Sequence, residues 1–166
     1  MIMSSRLPSI LTTDAARLIG PADVALAARR TSPGLAPGES VVLLLTNQNR
    51  PFHQISLPRS SSTAQCPEPR AVFAAAFLNN CSRIVIAHSQ TARASGPIVP
   101  TAEDYDHAAQ LILGGHLLHI TVIDYVLFNE DTECSLRLHH SDHLYLYRKH
   151  MRVLRRLSFT AEPCRN

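Results

Sequence analysis

His88, Thr101, Asp104 and His107 are the side chains in this chain best suited to chemistry, and they fall close together in the sequence. Ile84-Val85-Ile86-Ala87-His88 reads as a short buried strand that ends in an imidazole. Taken alone, a histidine at a strand end is most simply a hydrogen-bonded structural group. Its ring becomes a base or a metal ligand only with suitable partners. Pro100-Thr101-Ala102-Glu103-Asp104 opens a helix, with Thr101 placed as N-cap and Asp104 as an acidic N3 residue. His107 follows Asp104 by one turn and can share its face, although a solvent-exposed position is the expectation. A second group, His139-His140-Ser141-Asp142-His143, can take up zinc or nickel adventitiously and is expected to be an exposed polar loop.

The elements that must position these groups fit one small domain. At 166 residues the chain can bury a core. Its formal net charge of +3 is too mild to indicate nucleic-acid binding by itself. The longest apolar run, near residues 41–45, suits a strand and not a membrane span. The N-terminus shows no basic flank followed by an apolar block, so a cytoplasmic protein is expected. Cys66, Cys81, Cys134 and Cys164 are widely spaced without a CxxC pair, which favours reduced, buried thiols over a disulfide framework.

Helical patches are expected at residues 14–19 and 22–30, followed by the Ser32-Pro33-Gly34-Leu35-Ala36-Pro37-Gly38 loop. Residues 41–46 and 52–57 read as a hairpin around Asn47-Gln48-Asn49-Arg50, with Ser60-Ser61-Ser62-Thr63 as a polar loop beyond it. Pro69 opens a helix expected to run through Asn80, with Val72, Phe73, Ala76 and Phe77 on one face. A helix over 104–118 and a strand over 120–128 follow. Leu144-Tyr145-Leu146-Tyr147 suits either strand or helix. Arg148, Lys149, Arg152, Arg155 and Arg156 then make a basic helix with Met151, Leu154 and Leu157 roughly on one side. That segment can touch phosphates, but a solvated face or docking on the domain is favoured. The fold class is α/β (α+β): a mixed β-sheet flanked by helices, organised as residues 1–38, 39–130 and 131–166.

The order of these motifs resembles the RadC branch of the JAB/MPN (JAMM) superfamily. Pro69-Arg70, Phe73, Ala76, Asn80 and the His88 strand stand in that family's order without a gap. Beyond a slightly longer loop, Pro100-Thr101-Ala102-Glu103-Asp104, Gly115 and Asp124 fall in register. The resemblance implies a JAB/MPN fold over about residues 39–130. It also implies a zinc site built from a His-x-His pair and a helical Asp, with a Glu as general base and a hydroxyl steadying the oxyanion.

Carried over residue by residue, His88 takes the first ligand position, Asp104 the carboxylate and Thr101 the hydroxyl. Gln90 stands where the second imidazole belongs, and an amide is a poor zinc ligand. Ile55 and Ser56 occupy the place of the base, and the nearby His53 and Gln54 are not carboxylates. His107, or His53, is the available substitute ligand. The expected function is therefore a catalytically silent domain that binds a protein or peptide partner, with zinc weak or absent. An active zinc metallopeptidase or isopeptidase with a substituted ligand is the alternative. A DNA-associated accessory protein is a weaker one.

Overall fold

The computed structural model describes residues 16–59, 66–90 and 96–137. Its elements, in order, are α1 (Pro21–Thr31), β1 (Ser40–Leu45), β2 (Pro51–Leu57), α2 (Pro69–Leu78), β3 (Arg83–Ser89), α3 (Ala102–Leu117), β4 (Thr121–Phe128) and β5 (Glu133–Ser135). The strands form one sheet in the order β2-β1-β3-β4-β5. Only β3 and β4 run parallel; the other pairs are antiparallel. The expectation of a mixed sheet flanked by helices holds, and residues 84–87 are strand.

Helices cover both faces of the sheet. Val42, Leu44, Ile84, Ile86 and Leu127 pack with Val72, Phe73, Ala108 and Leu111 from α2 and α3. Val41, Leu43, Val85, Ala87 and Val126 pack with Val24, Ala25 and Ala28 of α1. Strands covered on both faces lose the alternation of polar and apolar residues, which is why β1 and the first part of β3 read as unbroken apolar runs.

The N-terminal patch expected at 14–19 is not helical over residues 16–19. Asp23 Oδ2 accepts from the Ile19 and Gly20 amides at 2.8 and 3.1 Å, closing the start of α1 at Pro21. The Leu18 amide is held instead by the Asn49 carbonyl at 2.9 Å. At the other end of the sequence, β5 was not anticipated. It is three residues long, too short for a periodic signal.

Both helices on the site face end in the same way. Asn80 and His119 take left-handed backbone (φ 49° and 55°). The following amides, of Cys81 and Ile120, reach back to Ala76 and Gly115 carbonyls at 2.9 and 2.8 Å. These are Schellman turns, and they stop α2 at Leu78, short of Asn80, before launching β3. The second launches β4 alongside it, sealed by Thr121 N to Ser82 O at 2.7 Å.

One irregularity sets which side chains reach the site. Ile84 pairs with Val122 but Ile86 with Tyr125, so β4 carries an extra residue at 123–124. Such a bulge reverses the in–out phase of the strand. Val122 and Tyr125 therefore both face α2 and α3, while Ile123 and Val126 face α1. Asp124 stabilises the bulge by accepting from Tyr125 N, Ser135 Oγ and Arg137 N at 2.8, 2.6 and 3.2 Å.

The His139–His143 group, the 144–147 segment, the basic 148–157 segment, Cys164 and the Ser60–Thr63 loop lie outside the described residues. Among the described residues no helix is long and apolar enough to cross a membrane.

Gly115 is the tightest backbone approach. A Cβ there would run into the Ile120 carbonyl oxygen and come within 2.9 Å of Val122 Cγ2. Gly115→Ala should therefore destabilise the domain by about 1–3 kcal/mol. Gly114→Ala meets mainly the Phe73 ring and should cost less. Urea unfolding of the two variants measures the difference.

Candidate functional site

His88 sits near the end of β3 in a row of paired positions that crosses the whole sheet: Leu57, Ser40, His88, Leu127 and Cys134. The residue is 2 % exposed. Ser40 Oγ lies 2.8 Å from Nδ1, in an O–H···N or N–H···O bond according to the tautomer. The Tyr125 ring, brought to this face by the bulge, stacks near it at 6.0 Å between centroids and 29° between planes. Burial dominates the electrostatics and pushes the imidazole down to about 4, against the opposing pull of the Asp104 carboxylate. His88 is thus a neutral ring at physiological pH.

Asp104 and Thr101 arrive from above on the first turn of α3. The Thr101 amide and hydroxyl both donate to Asp104 Oδ2, at 2.7 and 2.8 Å. The Asp104 amide returns a bond to Thr101 Oγ1 at 3.2 Å. This is a complete capping box, and it leaves Asp104 only 6 % exposed. The structure brings Asp104 and His88 together, near enough for the carboxylate to influence the ring. The Thr101 hydroxyl, however, donates to Asp104.

His107 departs from its expected exposed position. The side chain is half-buried, with its ring edge-on to Tyr125 at 5.7 Å and 70°. Its Nε2 is buried without a hydrogen-bond partner. Burial lowers its proton affinity, opposed by Asp104 and by a backbone bond at Pro67. The reason for the inward placement is the helical spacing itself, since Asp104, Ala108 and Leu111 on the same helix also face inward.

Cys66 completes the wall; burial pushes its thiol up to about 11. It sits beside the Tyr125 hydroxyl, which burial also holds protonated. The two perturb one another without forming a well-aligned hydrogen bond. Cys66 and Cys81 are buried free thiols, and Cys81 Sγ donates to the Arg83 carbonyl at 3.0 Å. Burial is the largest influence on each of these groups, lowering the proton affinity of His88 and His107 and raising that of Cys66 and Tyr125.

Other expected participants are placed elsewhere. Gln90 continues the ladder through its amide to Phe128 O at 3.0 Å, and lines a cavity on the α1 side. Ile55 packs against the α2–α3 core, on the His88 face. Ser56 points the other way, with Oγ 3.0 Å from Ser32 Oγ. Gln54 also faces α1, donating to Thr31 O at 2.7 Å. His53 pairs with Leu44, four residues along β1 from Ser40. At about 3.3 Å per residue that is roughly 13 Å away along the strands, so His53 cannot serve as a substitute ligand. Glu39, the acid nearest this strand end, turns its carboxylate back onto the Ala36 amide at 2.9 Å.

Sequence reasoning missed Ser40 and Tyr125. The first was signalled by a lone hydroxyl opening an apolar strand, and the second was hidden by the bulge.

A mixed sheet with a strand-end histidine beneath the acidic N-terminus of a crossover helix defines an α/β domain of JAB type. Residues 19–141 match the family described as the RadC-like JAB domain, and the chain belongs to that family. Similar proteins include UPF0758 proteins from Trichodesmium erythraeum (29 % identical over 96 residues), Thermosynechococcus vestitus (31 % over 96) and Staphylococcus haemolyticus (27 % over 120). The matches cover 58, 58 and 72 % of this chain, but only 38, 37 and 51 % of those relatives. The chain thus spans about half their length or less.

Of the zinc site implied by the family, position 90 offers no imidazole and Thr101 donates to one Asp104 oxygen, while the Ser40 contact at His88 Nδ1 engages one of the two ring nitrogens. Among the described residues no three His, Cys, Asp or Glu side chains converge to hold a metal ion.

The buried neutral ring makes a pH prediction. The unfolded chain binds the His88 proton near 6.5 and the folded one only near 4. The contribution is therefore complete above pH 6.5 and is lost as pH falls toward 4. It amounts to about 3 kcal/mol between pH 7 and pH 4. Urea-unfolding free energies of wild type and His88→Gln at both pH values isolate it: the wild type should lose more by about that amount.

Proposed function

We propose that this chain is a RadC-like JAB domain that has given up zinc hydrolysis and serves as a binding module for a protein or peptide. The observation that carries this reading is that the ligand-position imidazole of His88 is buried and bonded through Nδ1 to Ser40, with Gln90 and no second imidazole two residues on. Two further features support it: no acid stands at Ile55, and the Thr101–Asp104 pair is engaged in capping. General-base help alone contributes about 10²–10⁴ in rate, and without a metal no activated water exists for it to act on.

A second reading has one observation in its favour. The unpartnered Nε2 of His107 lies on the same side as His88 and Asp104, where it stands ready to replace the missing imidazole. On that reading the domain is a zinc peptidase with a substituted ligand.

Protein purified without a histidine tag separates the two. The expected result is substoichiometric zinc, an affinity no tighter than micromolar (about −8 kcal/mol), and no hydrolysis of peptide or isopeptide substrates. One bound zinc that is lost in both His88→Ala and His107→Ala establishes the second reading instead. Restoring the ancestral groups should use Gln90→His with Ile55→Glu, because Ser56 faces the wrong side of the sheet. This double variant is expected to bind zinc at least about tenfold more tightly than the parent, a gain of about 1.4 kcal/mol.

A further inference from the structure

We propose that the cavity on the α1 side of the sheet, beside Arg29, is the recognition site of this domain, and that it takes the C-terminal carboxylate of a peptide ending in an apolar residue. This rests on the binding-module reading and names its ligand. The cavity has a volume of about 390 Å³ and opens where β3 and β4 end, lined by Arg29, Leu35, Pro37, Ser89, Gln90 and Phe128 among others. That size suits a small ligand or the last residues of a chain. The ends of adjacent parallel strands are also where open α/β sheets commonly receive ligands.

Arg29 supplies the charge. One guanidinium nitrogen donates to the Asn129 carbonyl at 2.6 Å, and the group lies 5.5 Å from the Phe128 ring centroid. These contacts fix the plane of the fork. Nε is buried with no hydrogen-bond partner, an N–H that a buried site ordinarily satisfies. A carboxylate is the group that matches a guanidinium edge. Glu130 also lines the cavity, and its negative charge disfavours a multiply charged phosphate more than a single carboxylate. Leu35, Pro37 and Phe128 form an apolar wall for the terminal side chain, while the Ser89 hydroxyl and Gln90 amide suit a peptide backbone.

The test uses the full chain and three probes: N-acetyl-leucyl-leucine as the free acid, the same dipeptide as its amide, and inorganic phosphate. Calorimetric or NMR titration should give the acid an affinity at least about tenfold above the amide, as expected for one charge-assisted pair. Phosphate should bind more weakly than the acid. Arg29→Met, which keeps the packing stem, should bring acid and amide together. Equal binding of acid and amide by the wild type, or no binding of either, overturns the proposal without calling on any variant. Tighter binding of phosphate than of the acid overturns the choice of ligand. Release of free leucine from the acid probe would instead overturn the silent-domain reading, while the site could stand.

Discussion

Two strands that run in parallel cannot be joined by a tight turn, so the link between β3 and β4 has to travel back across the sheet as a helix. That helix is α3. Once its C-terminus is fixed by the Schellman turn at His119 and the close approach of Gly115 to Ile120, its N-terminus must return over the far end of β3. His88 stands at that end. The meeting of His88 with the Thr101–Asp104 turn therefore follows from topology, whatever chemistry the residues then perform.

What the residues perform is decided by burial. A histidine at 2 % exposure, bonded to a serine and stacked near a tyrosine, gains nothing from charge and loses solvation if it acquires one. Burial raises the pKa of the surrounding thiol and phenol for the same reason. Asp104 Oδ2 is met by the backbone and hydroxyl donors of its own capping box. A hydrolytic metal centre needs open coordination positions and a nearby base. In this domain His88 is bonded to a serine hydroxyl and stacked near a tyrosine ring. Among the described residues, buried polar atoms without a hydrogen-bond partner include His107 Nε2 and the Tyr125 hydroxyl on the site face and Arg29 Nε on the other.

Much of this was legible in the sequence because it depends on local periodicity and capping. The apolar runs of β1 and β3, the Thr101–Asp104 box and the spacing of Val72, Phe73 and Ala76 each announced an element and a face. The meeting of His88 and Asp104 followed from motif order. The remainder depends on phase across strands, which no single segment encodes. One extra residue at 123–124 decides that Tyr125 and not Asp124 reaches the site. The alternation along β2 decides that Ile55 shares the His88 face while Ser56 meets Ser32. His107 was misjudged because its polarity suggested solvent, whereas its position on α3 dictated the interior.

The central claim is that His88 is a structural imidazole committed to Ser40. Its ring ¹⁵N resonances, recorded before and after addition of equimolar zinc at neutral pH, test this most directly. The account predicts a neutral single-tautomer ring whose two nitrogen shifts do not change with zinc. A zinc-dependent shift of a His88 ring nitrogen, saturating at one equivalent, would contradict it.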